Sequence, residues 1–103
     1  MIRITASKEN GKIRELEVKG HAGSGTYGHD LVCAIVSGIV TGLCNALDQL
    51  SNENDMELKE GYAKIVIHDL NEKTDTIMNT GLIMLATAEE VNKDFVSIRV
   101  MEV

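Results

Sequence analysis

The feature that most limits the possible folds is a stretch of twenty residues, LVCAIVSGIVTGLCNALDQL, that is almost uniformly apolar or small. It is longer than the ~4–8 residues typical of a strand, so the sequence predicts a buried helix from Leu31 to about Leu50. Asp30 directly precedes this stretch, and its carboxylate can accept a hydrogen bond from a backbone N–H two or three residues further on. We therefore expect Asp30 to be the N-cap and the rest of the chain to cover the apolar side of this helix.

Segments with the two-residue alternation of strands flank this helix. Ile2, Ile4 and Ala6 alternate with polar residues, and Asn10-Gly11 predicts a tight turn before a returning strand. A second helix is predicted by apolar spacing after Asn71, a plausible N-cap. The remaining predicted elements are strands at Lys12–Lys19, Tyr62–His68 and Phe95–Val103, an optional short strand at Met56–Leu58, and the second helix itself at Glu72–Lys93. The order β-β-α-β-α-β indicates an α+β fold, a single layer of mostly antiparallel sheet with two helices on one face.

Length and charge narrow the class of protein. A chain of 103 residues predicts one domain, residues 1–103, and no uninterrupted apolar run reaches the ~18 residues of a membrane span, so we expect a cytoplasmic protein without membrane contact. The net charge is −6, and residues 53–103 hold eleven acidic against five basic residues. This balance argues against direct nucleic-acid binding. The acidic patch at Glu53, Asp55, Glu57 and Glu60 is either a solvated face or a surface for a basic peptide.

The chemically informative stretch is GHAGSGTYGHDLVCAIVS, residues 20 to 37. With Asp30 as N-cap, Cys33 lies in the first helical turn, where unpaired N–H groups and the helix dipole favour a thiolate and supply oxyanion donors, the N–H of Cys33 included. His21 and His29 are both candidate bases. The alternative is that Cys33 is merely a small buried hydrophobe. The glycines of this stretch form either a mobile flap over a site or a turn-rich connection; they are Gly20, Gly23, Gly25 and Gly28.

Phosphate and metal chemistry are less favoured at this loop. No Gly-Lys-Ser/Thr follows the glycines, and Asp30 places negative charge where a phosphate would bind. His21, His29, Asp30 and Cys33 have the atom types of metal ligands but no recognised spacing. We expect neither a metal nor a cofactor.

Other residues of the first helix have structural or supporting roles. Cys44 follows Cys33 by eleven residues, which separates their Cα atoms by ~16 Å on a continuous helix, so no disulfide joins them and Cys44 is expected in the core. Ser37 lies one turn after Cys33, where it can bond near the thiolate or the substrate, or back to the preceding turn. A stripe of small residues allows close approach of another element, either within the subunit or in a dimer; it comprises Ala34, Gly38, Gly42 and Ala46.

The same stretch resembles the signature of the ribosomal-processing cysteine protease family (Prp, or YsxB-like). The resemblance rests on Gly20-His21-Ala22, on Gly28-x-Asp30, on Val32-Cys33-Ala34 with Ser37, and on the twelve-residue step from histidine to cysteine. It covers about 18 of 103 residues, and this chain departs from it with Ile35 and Val36 where a small residue often follows Cys-Ala.

The resemblance implies a homodimeric enzyme with a Cys–His dyad, Cys33 as nucleophile and His21 as base. We expect Gly20, Asp30 and Ser37 to support the dyad or to bind substrate, with Asp30 first holding the helix start and secondarily orienting His21 or the substrate. The resemblance also implies the substrate, an N-terminal extension of the large-subunit ribosomal protein numbered twenty-seven, cut after an aromatic residue. The residues alone leave open a non-enzymatic, ribosome-associated module that binds a peptide.

Overall fold

The computed structural model describes residues 1–26 and 30–103. The predicted elements are present, with one strand more than the principal prediction. They are β1 (Ile2–Glu9), β2 (Lys12–Lys19), α1 (Leu31–Leu50), β3 (Asn54–Lys59), β4 (Tyr62–Ile67), α2 (Glu72–Val91) and β5 (Val96–Glu102). The extra strand, β3, extends the short segment expected at Met56–Leu58. Its polar residues have low strand propensity, but pairing along the whole of β4 outweighs that preference.

The five strands form one mixed sheet in the order β3-β4-β2-β1-β5. Three neighbouring pairs are antiparallel, and β1 pairs with β5 in parallel. The α+β prediction with a mostly antiparallel sheet is therefore confirmed. The parallel pair follows from the connection through α2, which returns the chain to the end of the sheet where β1 begins.

One face of the sheet is apolar and both helices pack on it. The face includes Ile4 of β1, Leu16 of β2 and Ile65 of β4, each at most 2% exposed. Ile13 and Leu16 both face this core although they are three positions apart, which breaks the two-residue period of a strand. A bulge between Ser7 and Lys8 shifts the β1–β2 register and restores their common orientation.

The two helices approach each other closely at one glycine. A Cβ built on Gly81 of α2 would lie 2.6 Å from a methyl carbon of Leu43 on α1. Cys44, the residue after Leu43, is buried, as expected for a core residue, and burial raises the pKa of its thiol.

The small-residue stripe of α1 faces outward. Ala34, Gly38 and Gly42 are exposed, and a Cβ on either glycine would meet nothing within 4 Å. Packing within the subunit therefore does not explain these glycines, because the buried face of α1 runs instead through Val32, Val36 and Val40.

The α1 helix also corrects one expectation from the sequence. By length and composition α1 is apolar enough to cross a membrane. Its polar residues interrupt the apolar run, but only one of them, Asp48, is charged, so the mean hydropathy of the helix stays high. Here the inner face of α1 belongs to the core it forms with the sheet.

Candidate active site

Cys33 occupies the third position of α1, and Asp30 is the N-cap, as predicted. The carboxylate of Asp30 accepts a hydrogen bond from the Cys33 N–H at 3.1 Å. This bond uses the Cys33 N–H, so the expectation that it serves as an oxyanion donor is wrong. The Cys33 side chain is half-buried and its thiol is free, as nucleophilic chemistry requires.

The loop after β2 lies directly against this thiol. The Ala22 N–H donates to Cys33 Sγ, with nitrogen and sulfur 3.2 Å apart. Ala22 is buried, and its neighbour His21 is exposed. An N–H directed at sulfur stabilises negative charge on it, and the contact also brings the loop that carries His21 to the first turn of α1.

Two hydrogen bonds hold the backbone around His21. The Met1 nitrogen donates to the His21 carbonyl at 2.6 Å, and the Gly20 N–H donates to the Gly61 carbonyl at 2.9 Å. Gly20 has φ +97°, and a Cβ there would lie 2.5 Å from the Met1 carbonyl oxygen. Glycine is therefore required at position 20 by both conformation and space.

Asp30 also ties the loop to the helix. Its carboxylate accepts from the Ser24 N–H at 2.9 Å and from the Ser24 hydroxyl, in addition to the Cys33 N–H. These donors, the Ser24 hydroxyl foremost, hold the pKa of Asp30 well below its usual range. The geometry gives Asp30 the role of holding the helix start and the loop together.

His21 and Cys33 line one cavity of about 790 Å³ between the N-terminal half of α1 and the β3–β4 turn. Gly20, Gly23, Gly25, Asp30 and Ser37 line it as well, so the structure brings the candidate residues of the described chain together. Gly28 and the alternative base His29 lie outside the described residues.

The wall opposite α1 comes from a segment that the sequence did not predict as part of the site. Residues 58–63 of the β3–β4 hairpin line the cavity, with half-exposed Leu58 at one end and Ala63 at the other. The sequence marked this segment only by Glu60, as part of the acidic patch, and by the ends of two predicted strands. No sequence pattern shows that this turn lies beside a loop forty residues earlier.

The described parts of the chain contain no cluster of side chains that could bind a metal ion. In residues 1–26 and 30–103, no three side chains of His, Cys, Asp or Glu are grouped so that they could hold an ion. The candidate ligand set from the sequence included His29, which falls outside these ranges.

Comparison with known proteins gives consistent matches across the chain. The family model described as cysteine protease Prp matches residues 1–97. The ribosomal processing cysteine protease Prp of Staphylococcus aureus is 34% identical over 93 residues, which cover 86% of this chain and 87% of that protein.

Solved structures show the same fold. The crystal structure of the essential ribosomal processing protease Prp from S. aureus, in complex with a covalently linked product peptide, matches with a TM-score of 0.90 at 30% identity, covering 97% of this chain and 99% of that one. A Streptococcus mutans protein matches with a TM-score of 0.82 at 32% identity, covering 100% and 96%.

Proposed function

The chain belongs to the Prp family of cysteine proteases, and we propose that it removes the N-terminal extension of a ribosomal protein with Cys33 as nucleophile and His21 as base. The observation that carries this proposal is the hydrogen bond from the Ala22 N–H to Cys33 Sγ. Because Ala22 adjoins His21 and both His21 and Cys33 line the same cavity, this contact supports their pairing as base and nucleophile. Membership in a protease family decides against the non-enzymatic peptide-binding alternative.

The proposed reaction proceeds through a thioester. His21 takes the proton of Cys33, and the thiolate attacks the scissile carbonyl carbon. The carbon–nitrogen bond breaks as His21 returns the proton to the leaving amine. Water then attacks the thioester, releases the carboxylic acid and restores the thiol.

The proposed substrate is the extension of the large-subunit ribosomal protein numbered twenty-seven. It is supported by the resemblance of residues 20–37 and by the S. aureus relative, which is a ribosomal processing cysteine protease. A structure of that relative holds a substrate peptide. In this chain the cavity is open and partly apolar, which suits an extended peptide with an apolar or aromatic side chain at the cut.

We further propose a cytoplasmic homodimer that does not contact nucleic acid directly. A cytoplasmic setting keeps Cys33 and Cys44 reduced. The outward glycines of α1 would let a second copy approach closely, on a helix whose charge-free part, Leu31 to Leu47, is long. The net charge of −6 disfavours binding to phosphate backbones.

The test is cleavage of the extended ribosomal protein by purified variants, followed by the masses of the products. Cys33→Ala and His21→Ala should each lower the rate by roughly a thousandfold or more, because nucleophile and base act as one unit. Cys44→Ala is the matched control and should cleave like the parent once its folded fraction is equalised. Cleavage that persists in Cys33→Ala would sink the proposal.

A further inference from the structure

The tip of the β3–β4 hairpin lies directly under the imidazole of His21. A Cβ built on Gly61 would lie 3.0 Å from His21 Nε2, 3.5 Å from Cε1 and 3.6 Å from Cδ2. Three ring atoms therefore face the α-carbon of Gly61. The ring therefore occupies space that a side chain at position 61 would fill.

The hairpin and the histidine loop are also joined through the backbone. The Gly61 carbonyl accepts the Gly20 N–H at 2.9 Å, one residue before His21. Gly61 has φ +70°, a conformation that other residues rarely adopt. The same residue thus anchors the loop with its carbonyl and receives the ring with its α-carbon.

We propose that Gly61 is a positioning residue, which sets the His21 imidazole in the place from which it serves Cys33. The inference rests on the proposed function, since it takes His21 to be the base. Any side chain at position 61 must push the ring away by a few tenths of an ångström. Reactions between positioned groups lose rate steeply with such displacements, up to about a hundredfold for 1 Å.

The chain provides a matched control for the backbone effect. Gly11, in the β1–β2 turn, has φ +77°, and a Cβ there would meet nothing within 4 Å. Gly11→Ala and Gly61→Ala therefore introduce similar backbone strain, but only the second touches His21. The pair Gly11→Asn and Gly61→Asn repeats the comparison with a residue that tolerates positive φ, so that a folded protein is available if alanine destabilises the turn.

The experiment measures kcat and KM for peptide cleavage in these four variants and in His21→Ala, at equal folded fractions. We expect kcat to fall roughly tenfold in the Gly61 variants, with a smaller change in KM, and to stay near the parent value in the Gly11 variants. The His21 ring resonance in NMR spectra should move in the Gly61 variants alone, with the His68 resonance as internal reference.

Two outcomes would overturn the inference. The first is that Gly61→Asn loses no more kcat than Gly11→Asn. The second is that its loss lies entirely in KM while the His21 resonance stays in place, which would show that the new side chain only obstructs the substrate. A failure of the proposed function itself is distinct, because His21→Ala would then remain active.

Discussion

At the scale of the residue, Asp30 joins the two parts of the site. One carboxylate accepts donors from Ser24 in the loop and from Cys33 in the helix. Cys33 and the loop beside it are therefore held by the same side chain, and both carboxylate oxygens of that side chain are needed for all of these bonds.

The charge of Asp30 predicts a pH-dependent contribution to stability. Because the folded-state pKa is depressed, the contribution is present above the unfolded value of ~3.9 and is lost as the pH falls below it toward the folded value. Asp30→Asn replaces one accepting oxygen by an NH₂ group. The variant should unfold at a lower temperature than the parent at pH 7, and the difference should shrink below about pH 4.

Thermal unfolding followed by circular dichroism at pH 7 and pH 3 checks this prediction. Asp48→Asn removes the same charge from an exposed position on α1 and serves as the control. A difference between parent and Asp30→Asn that is equal at both pH values, or that Asp48→Asn reproduces, would show that the hydrogen-bonded charge of Asp30 is not responsible.

Residues differ in how far the sequence alone predicts them. Asp30 was predictable because an N-cap depends on a spacing of three residues along one segment. The contact of Ala22 with Cys33 was not, since it depends on how a glycine loop folds back onto a helix. The preference for His21 over His29 came from the family signature, because both histidines lie within a few residues of the glycines.

At the scale of the element, the packing of the two helices depends on a missing side chain. Gly81 of α2 is buried against Leu43 of α1. Apolar spacing predicted α2 itself but not which apolar side chains face inward, since Met84 and Val91 are 49% and 78% exposed. Spacing locates a helix well and its inward face less well, because the partner helix decides which side is covered.

Exchange of Gly81 for alanine tests this packing. The added methyl should cost ~1–3 kcal/mol by overpacking, against a gain of ~1 kcal/mol in helix propensity, so Gly81→Ala should destabilise the protein by about 1 kcal/mol. In a Leu43→Ala background the clash is absent, and Gly81→Ala should become neutral or stabilising. Urea unfolding of the four proteins measures the cycle, and additive effects would contradict the contact.

At the scale of the whole molecule, the cavity lies between α1 and the β3–β4 hairpin. The alternation of the strands and the apolar helix predicted the layers. Neither predicted the β3–β4 wall, because that wall depends on strand order in the sheet and on the complete pairing of β3 with β4. The fold therefore supplies one wall of the cavity from residues that no sequence pattern connects with Cys33 or His21.

The central claim is that Cys33 attacks the peptide bond and carries the extension as a thioester. The most direct measurement is the intact mass of the protein, quenched in acid during turnover of the extended ribosomal protein and then mapped by peptide analysis. We expect an added mass equal to the released N-terminal fragment less one water, located on Cys33 and absent in Cys33→Ala. An adduct on another residue, or continued cleavage by Cys33→Ala, would contradict it.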